Sequence, residues 1–462
     1  MNTLHTRQRH TLIVGLGVTG LSCLRFLYGK ERLTVVDTRN ISELPGEVCK
    51  NYPEVRIVCG EISDSVFDGV SRIVVSPGVP LDLPLFSGTI ARQLPIVSDI
   101  DLFLDAATVP VIGITGTNGK STVTELCGKL LAANGLNVGV GGNLGVPALD
   151  LLDIGIEIYV LELSSFQLER LRLQASTDNL KGSLSVGCLL NVSADHLDRH
   201  GDYDSYVFAK RRLIDLCDVL VYNREDGQTA SANASQDCVS FGSSPPVKGE
   251  WGLISMIKDS ESRPYLSFSG APYLDVHALK IRGSHNILNA LAALAIATTQ
   301  HACIDDFKAP LLNFGGLAHR CQTIACAEGV TFINDSKATN VGACLAALEG
   351  LGNGERKNIV LIAGGDAKNA DMSSLREAIA HFVKYMVVIG KDARKLAEVA
   401  PSPEIVSFEK NMFDAVKHAA RVASTGDLVL LSPACASFDM YSGFEARGAD
   451  FVESVERVAA LV

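Results

Sequence analysis

The sequence has no pair of cysteines in a CxxC arrangement and no long apolar run. Its 12 cysteines stand singly, which argues against a zinc or disulfide framework and is typical of reduced thiols. The longest apolar helix candidate, roughly residues 287–297, is too short for the ~20 residues that a membrane span needs. The polar start, Met1 to His10, lacks the apolar core of a signal peptide. We therefore expect a cytoplasmic protein without membrane insertion.

An excess of basic residues is absent as well. The chain carries 41 Lys and Arg against 52 Asp and Glu, a net charge of -11. This balance argues against a protein that binds nucleic acid by neutralising phosphates, although a local basic site can still hold a nucleotide. At 462 residues the chain also exceeds the ~250 residues at which a single hydrophobic core stops growing. Several domains are expected.

What the chain does contain is a repeated alternation of short β-branched runs, turns and helical periods. This pattern predicts parallel sheets covered by helices, in three α/β blocks. The motifs described below, and the resemblance that they carry, assign these blocks to a Rossmann-like N-terminal domain, a P-loop-type central ATPase and a Rossmann-like C-terminal domain. We place them at residues 1–98, 99–316 and 317–462. Residues 230–282 are predicted to form a β-rich elaboration of the middle domain. The predicted strands are 11–14, 33–36, 72–75, 109–112, 158–161, 187–190, 330–333, 358–362, 386–389 and 427–431.

A first glycine-rich turn, Gly15 to Gly20, follows a predicted strand and opens a helix, and Asp37 ends the next strand. This arrangement matches a dinucleotide fingerprint, in which glycines admit a diphosphate and an acidic residue bonds a ribose hydroxyl. Taken alone, the motif favours an NAD-dependent oxidoreductase. The other interpretation is a turn that serves only helix–strand packing.

A second turn, Gly113-Ile-Thr-Gly-Thr-Asn-Gly-Lys-Ser-Thr122, also connects a strand to a helix. Backbone N–H groups at such a helix start bind phosphate oxygens, and the helix dipole favours their charge. Lys120 would reach the terminal phosphates, and the hydroxyl of Ser121 or Thr122 can face Mg²⁺. The strict P-loop pattern has glycine where this chain has Ile114. The motif predicts ATP binding.

Polar residues follow two neighbouring strands. Glu162 comes directly after the predicted strand 158–161, and Asn191 comes directly after the predicted strand 187–190, shortly before His196. Ligands of open α/β sheets bind at the carboxyl ends of the strands, so Lys120, Glu162 and His196 should converge. A carboxylate directly after an apolar strand is costly unless it is paired or bound to a metal, so Glu162 is predicted to be a Mg²⁺ ligand. The alternative is that this carboxylate has only a structural role. His196 alone is as consistent with a local hydrogen bond. Taken alone, Lys210 indicates a solvated basic face and Lys368 a solvent-facing loop.

Together, these motifs resemble the Mur ligase superfamily of bacterial cell-wall synthesis. The resemblance covers nearly the whole chain and is weakest at residues 228–279 and 394–425. Residues 431–439 and 443–448 are most similar to the members that add D-glutamate. The motifs that carry the resemblance are Gly116–Ser121, Leu161–Leu168, Asn191–His196, His285–Asn289, Ala318–Arg320, Asn334–Thr339 and Gly364–Lys368.

The resemblance implies a reaction and its substrates. ATP would phosphorylate the carboxylate of UDP-N-acetylmuramoyl-L-alanine, and the amine of D-glutamate would attack the acyl phosphate. It also assigns the first glycine turn to uridine diphosphate instead of NAD. The residues implied for this substrate are Gly17, Val18, Thr19, Asp37, Thr38, Arg39, Gly78, Asn143 and His196.

The same resemblance implies the other site residues. Two Mg²⁺ ions are implied, one held by Ser121, Thr122 and Glu162, the other by His196 and a carbamylated Lys210. Catalytic roles fall on Lys120, Glu162, His196 and Lys210, and D-glutamate contacts on Thr339, Lys368, Ser437 and Phe444. The residues implied for ATP are Gly116, Thr117, Asn118, Gly119, Lys120, Ser121, Thr122, Asn286, Asn289, Arg320, Asp335 and Lys337.

Three alternatives remain open at this point. The protein could be another Mur-type or folylpolyglutamate-type ligase with a different amino acid, an NAD-dependent oxidoreductase, or a nucleotide-binding regulator without catalysis. We expect a monomer, and a third domain that closes onto the second when nucleotide binds.

Overall fold

The strands of the described residues form three sheets, one for each α/β block predicted from the sequence. The structure is a computed structural model. It describes residues 9–39, 47–81, 83–86, 94–143, 145–172, 183–231, 235–258, 261–281, 283–300, 302–352, 354–368 and 370–459. Most of the polar start of the chain and parts of segment 230–282 lie outside the described residues.

The N-terminal sheet has five strands in the order β3-β2-β1-β4-β5, all parallel. Every residue of β1 is buried, as expected of a parallel strand that is covered on both faces. The first glycine turn leads from β1 into α1. The elements are β1 His10–Val14, α1 Val18–Leu27, β2 Arg32–Asp37, α2 Glu47–Asn51, β3 Arg56–Cys59, β4 Arg72–Val75 and β5 Ile96–Val97.

The middle sheet has nine strands in the order β14-β13-β12-β11-β10-β9-β6-β8-β7. The strands from β7 to β12 pair in parallel, and β12, β13 and β14 pair antiparallel. The hairpin part corresponds to the β-rich elaboration predicted for residues 230–282. The elements are α3 Asp99–Ala106, β6 Val111–Thr115, α4 Lys120–Ala133, β7 Val138–Gly142, β8 Ile158–Glu162, α5 Ser165–Arg170, β9 Leu184–Leu189, α6 Leu197–His200, α7 Tyr203–Asp215, β10 Cys217–Asn223, β11 Asp237–Phe241, β12 Trp251–Lys258, β13 Glu261–Phe268, β14 Ala271–Asp275, α8 Ser284–Thr298 and α9 Lys308–Asn313.

The C-terminal sheet has six strands in the order β15-β16-β20-β17-β18-β19. Among the described residues, β15–β16 is the one antiparallel pair of strands in this sheet, and the other strand pairs are parallel. The elements are β15 Gln322–Ala327, β16 Val330–Asn334, α10 Val341–Leu351, β17 Ile359–Gly364, α11 Arg376–Phe382, β18 Val383–Ile389, α12 Ala393–Ala397, β19 Val406–Phe408, α13 Met412–Val422, β20 Leu428–Leu431 and α14 Phe444–Ala459.

Several strands of the middle domain differ from the sequence prediction: β9 begins at Leu184 instead of Gly187, and β7 and β10 were not predicted. The prediction for residues 109–112 starts too early: β6 begins after Pro110, which has no N–H for the ladder. The glycine-rich strand β7 was missed, because its composition hides the apolar pattern. Glycine is needed at position 139 because a Cβ there would lie 2.6 Å from the ring of Tyr159.

The apolar helix α8 lies inside the middle domain. Residues 290–297 of this helix are fully buried and pack with strands of the middle sheet in one core. Among the helices of the described residues, none has both the length and the apolar character that crossing a membrane requires. The sequence run is therefore explained by the domain core.

Candidate functional site

The second glycine turn forms the start of helix α4. Gly119 precedes the helix with φ of 86°, a left-handed conformation that favours glycine. A Cβ at this position would lie 2.3 Å from Asn289 Oδ1, so the turn needs glycine for space as well. The close approach brings α8 against the phosphate-binding turn, and it places Asn289 beside the start of α4.

Two lysine side chains meet at one carbonyl oxygen of this turn. Lys120 Nζ donates to the carbonyls of Gly116 and Thr117, both at 2.9 Å, and Lys210 Nζ donates to Gly116 at 2.7 Å. Burial lowers the pKa of Lys120 and lowers that of Lys210 well below its usual value, the latter helped by the charge of Lys120. Lys210 is only 1% exposed, which favours a neutral amine.

Glu162 ends strand β8 beside these lysines and is buried. Its Oε1 accepts a hydrogen bond from Asn143 Nδ2 at 2.9 Å, whereas Oε2 has no partner among the described residues. Burial opposes ionisation, but the charges of Lys120 and Arg320 and the hydrogen bonds to the carboxylate together outweigh it, so the pKa of Glu162 is lowered. A buried, ionised carboxylate with a free oxygen is a ligand that fits Mg²⁺.

In the described part of the chain, Glu162 belongs to no cluster of three or more His, Cys, Asp or Glu side chains that could hold a metal ion. The remaining ligands of a Mg²⁺ ion here would therefore be hydroxyls, water and substrate phosphates, which Mg²⁺ commonly keeps.

Several residues that support the turn were not predicted as site residues. The side chain of Asn191 accepts from Asn118 N–H at 2.9 Å and donates to its carbonyl at 3.1 Å. The hydroxyl of Thr117 lies 3.0 Å from that of Tyr206 and donates to the carbonyl of Ser193. Asn191 could have been identified, because it ends a predicted strand; Tyr206 gave no signal in the sequence.

A cavity between the middle and C-terminal domains collects most of the side chains predicted to bind ATP. Arg320 crosses from the C-terminal domain and donates to Ser121 Oγ at 2.7 Å. Burial raises the pKa of Asp335 to about 7 and lowers that of Lys337 to about 8. Of the predicted residues, those that line this cavity are Asn118, Gly119, Thr122, Asn286, Asn289, Arg320, Asp335 and Lys337.

A second cavity, of about 690 Å³, lies at the carboxyl end of the N-terminal sheet and extends to the middle domain. It is lined by seven residues predicted to bind the uridine nucleotide together with Asn143, which also contacts Glu162. His196 lines a different cavity. The predicted residues that line the second cavity are Gly17, Val18, Thr19, Asp37, Thr38, Arg39, Gly78 and Asn143.

Asp37 and Arg39 form a paired group in this second cavity. Arg39 Nε and Nη2 donate to the carboxylate of Asp37 at 2.9 and 2.8 Å, and the N–H of Leu16 donates to it at 2.7 Å. The hydrogen bonds from Arg39 lower the pKa of Asp37 to about 2, against the opposing effect of burial. The carboxylate thus fixes the glycine turn and Arg39 in one arrangement.

We expect Asp37→Asn to lower the free energy of unfolding by about 1 kcal/mol at pH 7. The full shift in the pKa of Asp37 would correspond to ~2.6 kcal/mol of stability. We expect less, because Arg39 is exposed to solvent, which screens the interaction. A carboxylate whose pKa is lower in the folded than in the unfolded protein stabilises the fold at pH values above its unfolded pKa of ~3.9. This stabilisation is lost as the pH falls toward 2. Urea unfolding at pH 7 and pH 3 measures this, with Asp68→Asn at an exposed site of the same domain as control. A difference that does not shrink at pH 3 would contradict it.

A third cavity, of about 640 Å³, joins the middle and C-terminal domains on the other side of the turn. It is lined by His196, Thr339 and Lys368, three of the predicted residues. Lys368 Nζ lies 3.9 Å from Asp195 Oδ1, and Asn340 Nδ2 donates to Asp195 Oδ2 at 3.0 Å. A cationic lysine in a partly buried cavity suits a carboxylate ligand.

Two predicted residues are not brought to this third cavity. Ser437 is buried and lies outside its lining. The ring of Phe444 lies 3.8 Å from Lys337 Nζ, which places it toward the cavity of Arg320 and Asp335. Neither position could be read from the sequence, because both depend on how the C-terminal segment folds back over β16 and β17.

Family comparisons agree with this architecture. Residues 9–98 match the Mur ligase MurD-like N-terminal domain, residues 114–297 the Mur ligase middle domain, and residues 319–435 the Mur ligase glutamate ligase domain. The crystal structure of a MurF ligase from Thermotoga maritima in complex with ADP has a TM-score of 0.61 at 17% identity, covering 100% of both chains. This structural similarity shows the fold alone.

Curated relatives are more similar in sequence. A UDP-N-acetylmuramoylalanine–D-glutamate ligase of Saccharophagus degradans is 44% identical over 97% of this chain and 98% of its own. The protein of that name from Pseudomonas aeruginosa is 43% identical, with the same coverage of both chains. With three family matches along its length and relatives at this identity, the chain belongs to the Mur ligase family.

Proposed function

We propose that this protein joins D-glutamate to UDP-N-acetylmuramoyl-L-alanine in peptidoglycan precursor synthesis, at the expense of ATP and through an acyl phosphate. We place the reaction in the cytoplasm. The proposal assigns residues 1–98 to the uridine nucleotide, residues 99–316 to ATP and catalysis, and residues 317–462 to ATP and D-glutamate.

One observation carries this proposal: the hydrogen bond between Asn143 and Glu162. Asn143 lines the cavity of the N-terminal sheet, whereas Glu162 lies with Lys120 at the phosphate-binding turn. The hydrogen bond therefore links the proposed site for the substrate carboxylate to the proposed site for the terminal phosphate of ATP. Phosphoryl transfer requires these two groups in line and in contact.

The chain's own residues suggest how the reaction is supported. Lys120 would hold the transferred phosphoryl group near the N-terminus of α4, where charge develops. When bound at Glu162, Mg²⁺ would neutralise the phosphate oxygens. Lys368 would orient the carboxylate of D-glutamate so that its amine can attack the acyl phosphate, whose phosphate is then expelled.

The proposal extends the ligand sets beyond Glu162. Ser121 and Thr122 would add hydroxyls to the ion at Glu162, and His196 with a carbamylated Lys210 would hold a second Mg²⁺. Lys210 as an amine offers no anionic oxygen, so its assignment as a ligand depends on that modification. Thr339, Ser437 and Phe444 are proposed as further D-glutamate contacts by resemblance, of which Thr339 lines the cavity of Lys368.

The experiment that tests the proposal is a phosphate-release assay with ATP and UDP-N-acetylmuramoyl-L-alanine. D-Glutamate, L-glutamate, L-alanine and diaminopimelate are offered separately. We expect turnover with D-glutamate only, and turnover only with another amino acid would overturn the proposal. Titration with NADH and with the uridine nucleotide separates the oxidoreductase alternative, which requires tight binding of NADH alone.

Replacing Lys368 by alanine should raise the KM for D-glutamate by about tenfold or more, since a charge-assisted hydrogen bond contributes ~1.5–3 kcal/mol. The KM for ATP should stay within about twofold. Lys391→Ala is the matched control, because Lys391 is an exposed lysine of the same domain that pairs with Asp366. Equal effects of the two substitutions in the steady-state assay would exclude a specific role for Lys368.

A further inference from the structure

The loop Ser76–Val79 has all four of its carbonyl oxygens bonded to two arginines of the middle domain. Arg170 Nη1 donates to the carbonyl of Ser76 at 2.7 Å, and its Nη2 donates to that of Val79. Arg199 Nη2 donates to the carbonyl of Pro77 at 3.3 Å, and its Nη1 donates to that of Gly78 at 3.1 Å. Two guanidinium groups therefore hold four consecutive peptide units from another domain.

This loop lines the cavity of about 690 Å³ at the N-terminal sheet, while neither arginine is part of the lining. The loop thus separates the cavity from two positive charges. The N–H of Ser76 donates to Val14 and that of Val79 to Ser76, and Pro77 has none. Gly78 keeps the only N–H of the loop without a partner among the described residues. The carbonyls of the loop are occupied by hydrogen bonds from the arginines, and the N–H of Gly78 can donate to a ligand. Together with the two nearby positive charges, this arrangement favours an anion in the cavity.

Arg199 also contacts an aromatic ring that lines this cavity. Its guanidinium carbon lies 4.9 Å from the centre of the Phe166 ring, and Phe166 lines the same cavity as the loop. The rings of Phe166 and His196 meet edge to face at 5.2 Å. Arg199 lies in α6, which begins directly after His196. The loop, Phe166 and His196 are therefore linked through one arginine.

We infer that Arg199 and Arg170 are positioning residues for the anionic diphosphate of the uridine nucleotide, because they fix the loop Ser76–Val79 from behind. This inference rests on the proposed function, which supplies the nucleotide. Part of the affinity for the first substrate would then come from two arginines of the middle domain that do not themselves line the cavity. Loss of Arg199 should weaken binding of that substrate and leave adenine nucleotide binding unchanged.

The test is calorimetric titration of the full chain with UDP-N-acetylmuramoyl-L-alanine and, separately, with ADP. The variants are Arg199→Ala and Arg199→Lys, and the control is Arg25→Ala. Arg25 pairs with Asp150 across the same two domains, with Nε 3.1 Å from Oδ1, but neither residue lines the cavity. The control therefore removes an interdomain ion pair without touching the loop.

We expect Arg199→Ala to raise the Kd for the uridine nucleotide about tenfold, from loss of two charge-assisted hydrogen bonds, with the Kd for ADP within about twofold. Arg25→Ala should change neither. Arg199→Lys keeps the charge but loses the forked geometry, and it should still weaken binding about threefold; it decides the matter if the alanine variant does not fold. Equal uridine nucleotide affinities of both Arg199 variants and the control would overturn the inference.

The outcomes separate this inference from the proposed function. The titration requires no turnover, so a protein that binds the uridine nucleotide but adds another amino acid overturns the proposed function alone. An unchanged Kd in both Arg199 variants overturns the inference alone. A wild-type protein that does not bind the uridine nucleotide overturns both.

Discussion

Lys120→Ala should lower the rate of ATP-dependent phosphate release by about a thousandfold, the upper range for loss of one preorganised donor at a developing charge. Lys120 is held at the start of α4 by the carbonyls of Gly116 and Thr117. Its ammonium is therefore fixed where the transferred phosphoryl group would lie. A steady-state assay with all three substrates measures the loss.

The matched control is Lys129→Ala in the same helix. Lys129 is half exposed and pairs with Glu125 at 3.0 Å, so its loss should change the rate by less than about twofold. Circular dichroism of both variants checks that α4 remains folded. If Lys120→Ala retained more than about a tenth of the activity, the assignment of this turn to phosphoryl transfer would be wrong.

Lys210→Ala should reduce turnover by about a hundredfold or more, the upper range for loss of support at a metal site. The buried amine of Lys210 has a pKa lowered well below its usual value by burial and by Lys120. A neutral amine can add to carbon dioxide, forming an N–C bond and releasing a proton to give a carbamate anion. The side chain would thereby change from a cation into an oxygen ligand.

Short-chain carboxylic acids should partly restore the alanine variant, because they supply the missing carboxylate in the space that the side chain leaves. The control is Arg211→Ala, the next residue on α7, which donates to the carbonyl of Gln228 at the surface. It should keep activity near that of the wild type and gain nothing from the acids. Failure of every acid to raise the rate of Lys210→Ala would contradict the carbamate.

The sequence predicted the features that depend on local pattern. Glu162 ends one apolar strand and Lys120 follows another after the glycine turn, and parallel strands place their carboxyl ends at one edge of a sheet. That rule is sufficient to bring the two together, and the structure has them in electrostatic contact. The three-domain α/β fold was likewise predictable, because each block repeats the alternation of strands and helices.

Contacts between domains could not be predicted in this way. The bonds from Arg199 to the loop Ser76–Val79 join residues 121 and 122 positions apart, and no period or motif encodes such a distance. The same holds for the bond from Asn340 to Asp195. Phe444 is predicted to contact D-glutamate, and the contact of its ring with Lys337 is likewise one that no local pattern encodes.

The central claim is that the carboxylate of the first substrate is activated by phosphorylation before the amide forms. It is tested most directly by placing a heavy-oxygen isotope at both oxygens of the alanine carboxylate of UDP-N-acetylmuramoyl-L-alanine. Mass spectrometry of the phosphate released with ATP and D-glutamate should find one labelled oxygen for each amide formed, since the acyl C–O bond breaks when the amine attacks. Released phosphate without the label would contradict the account.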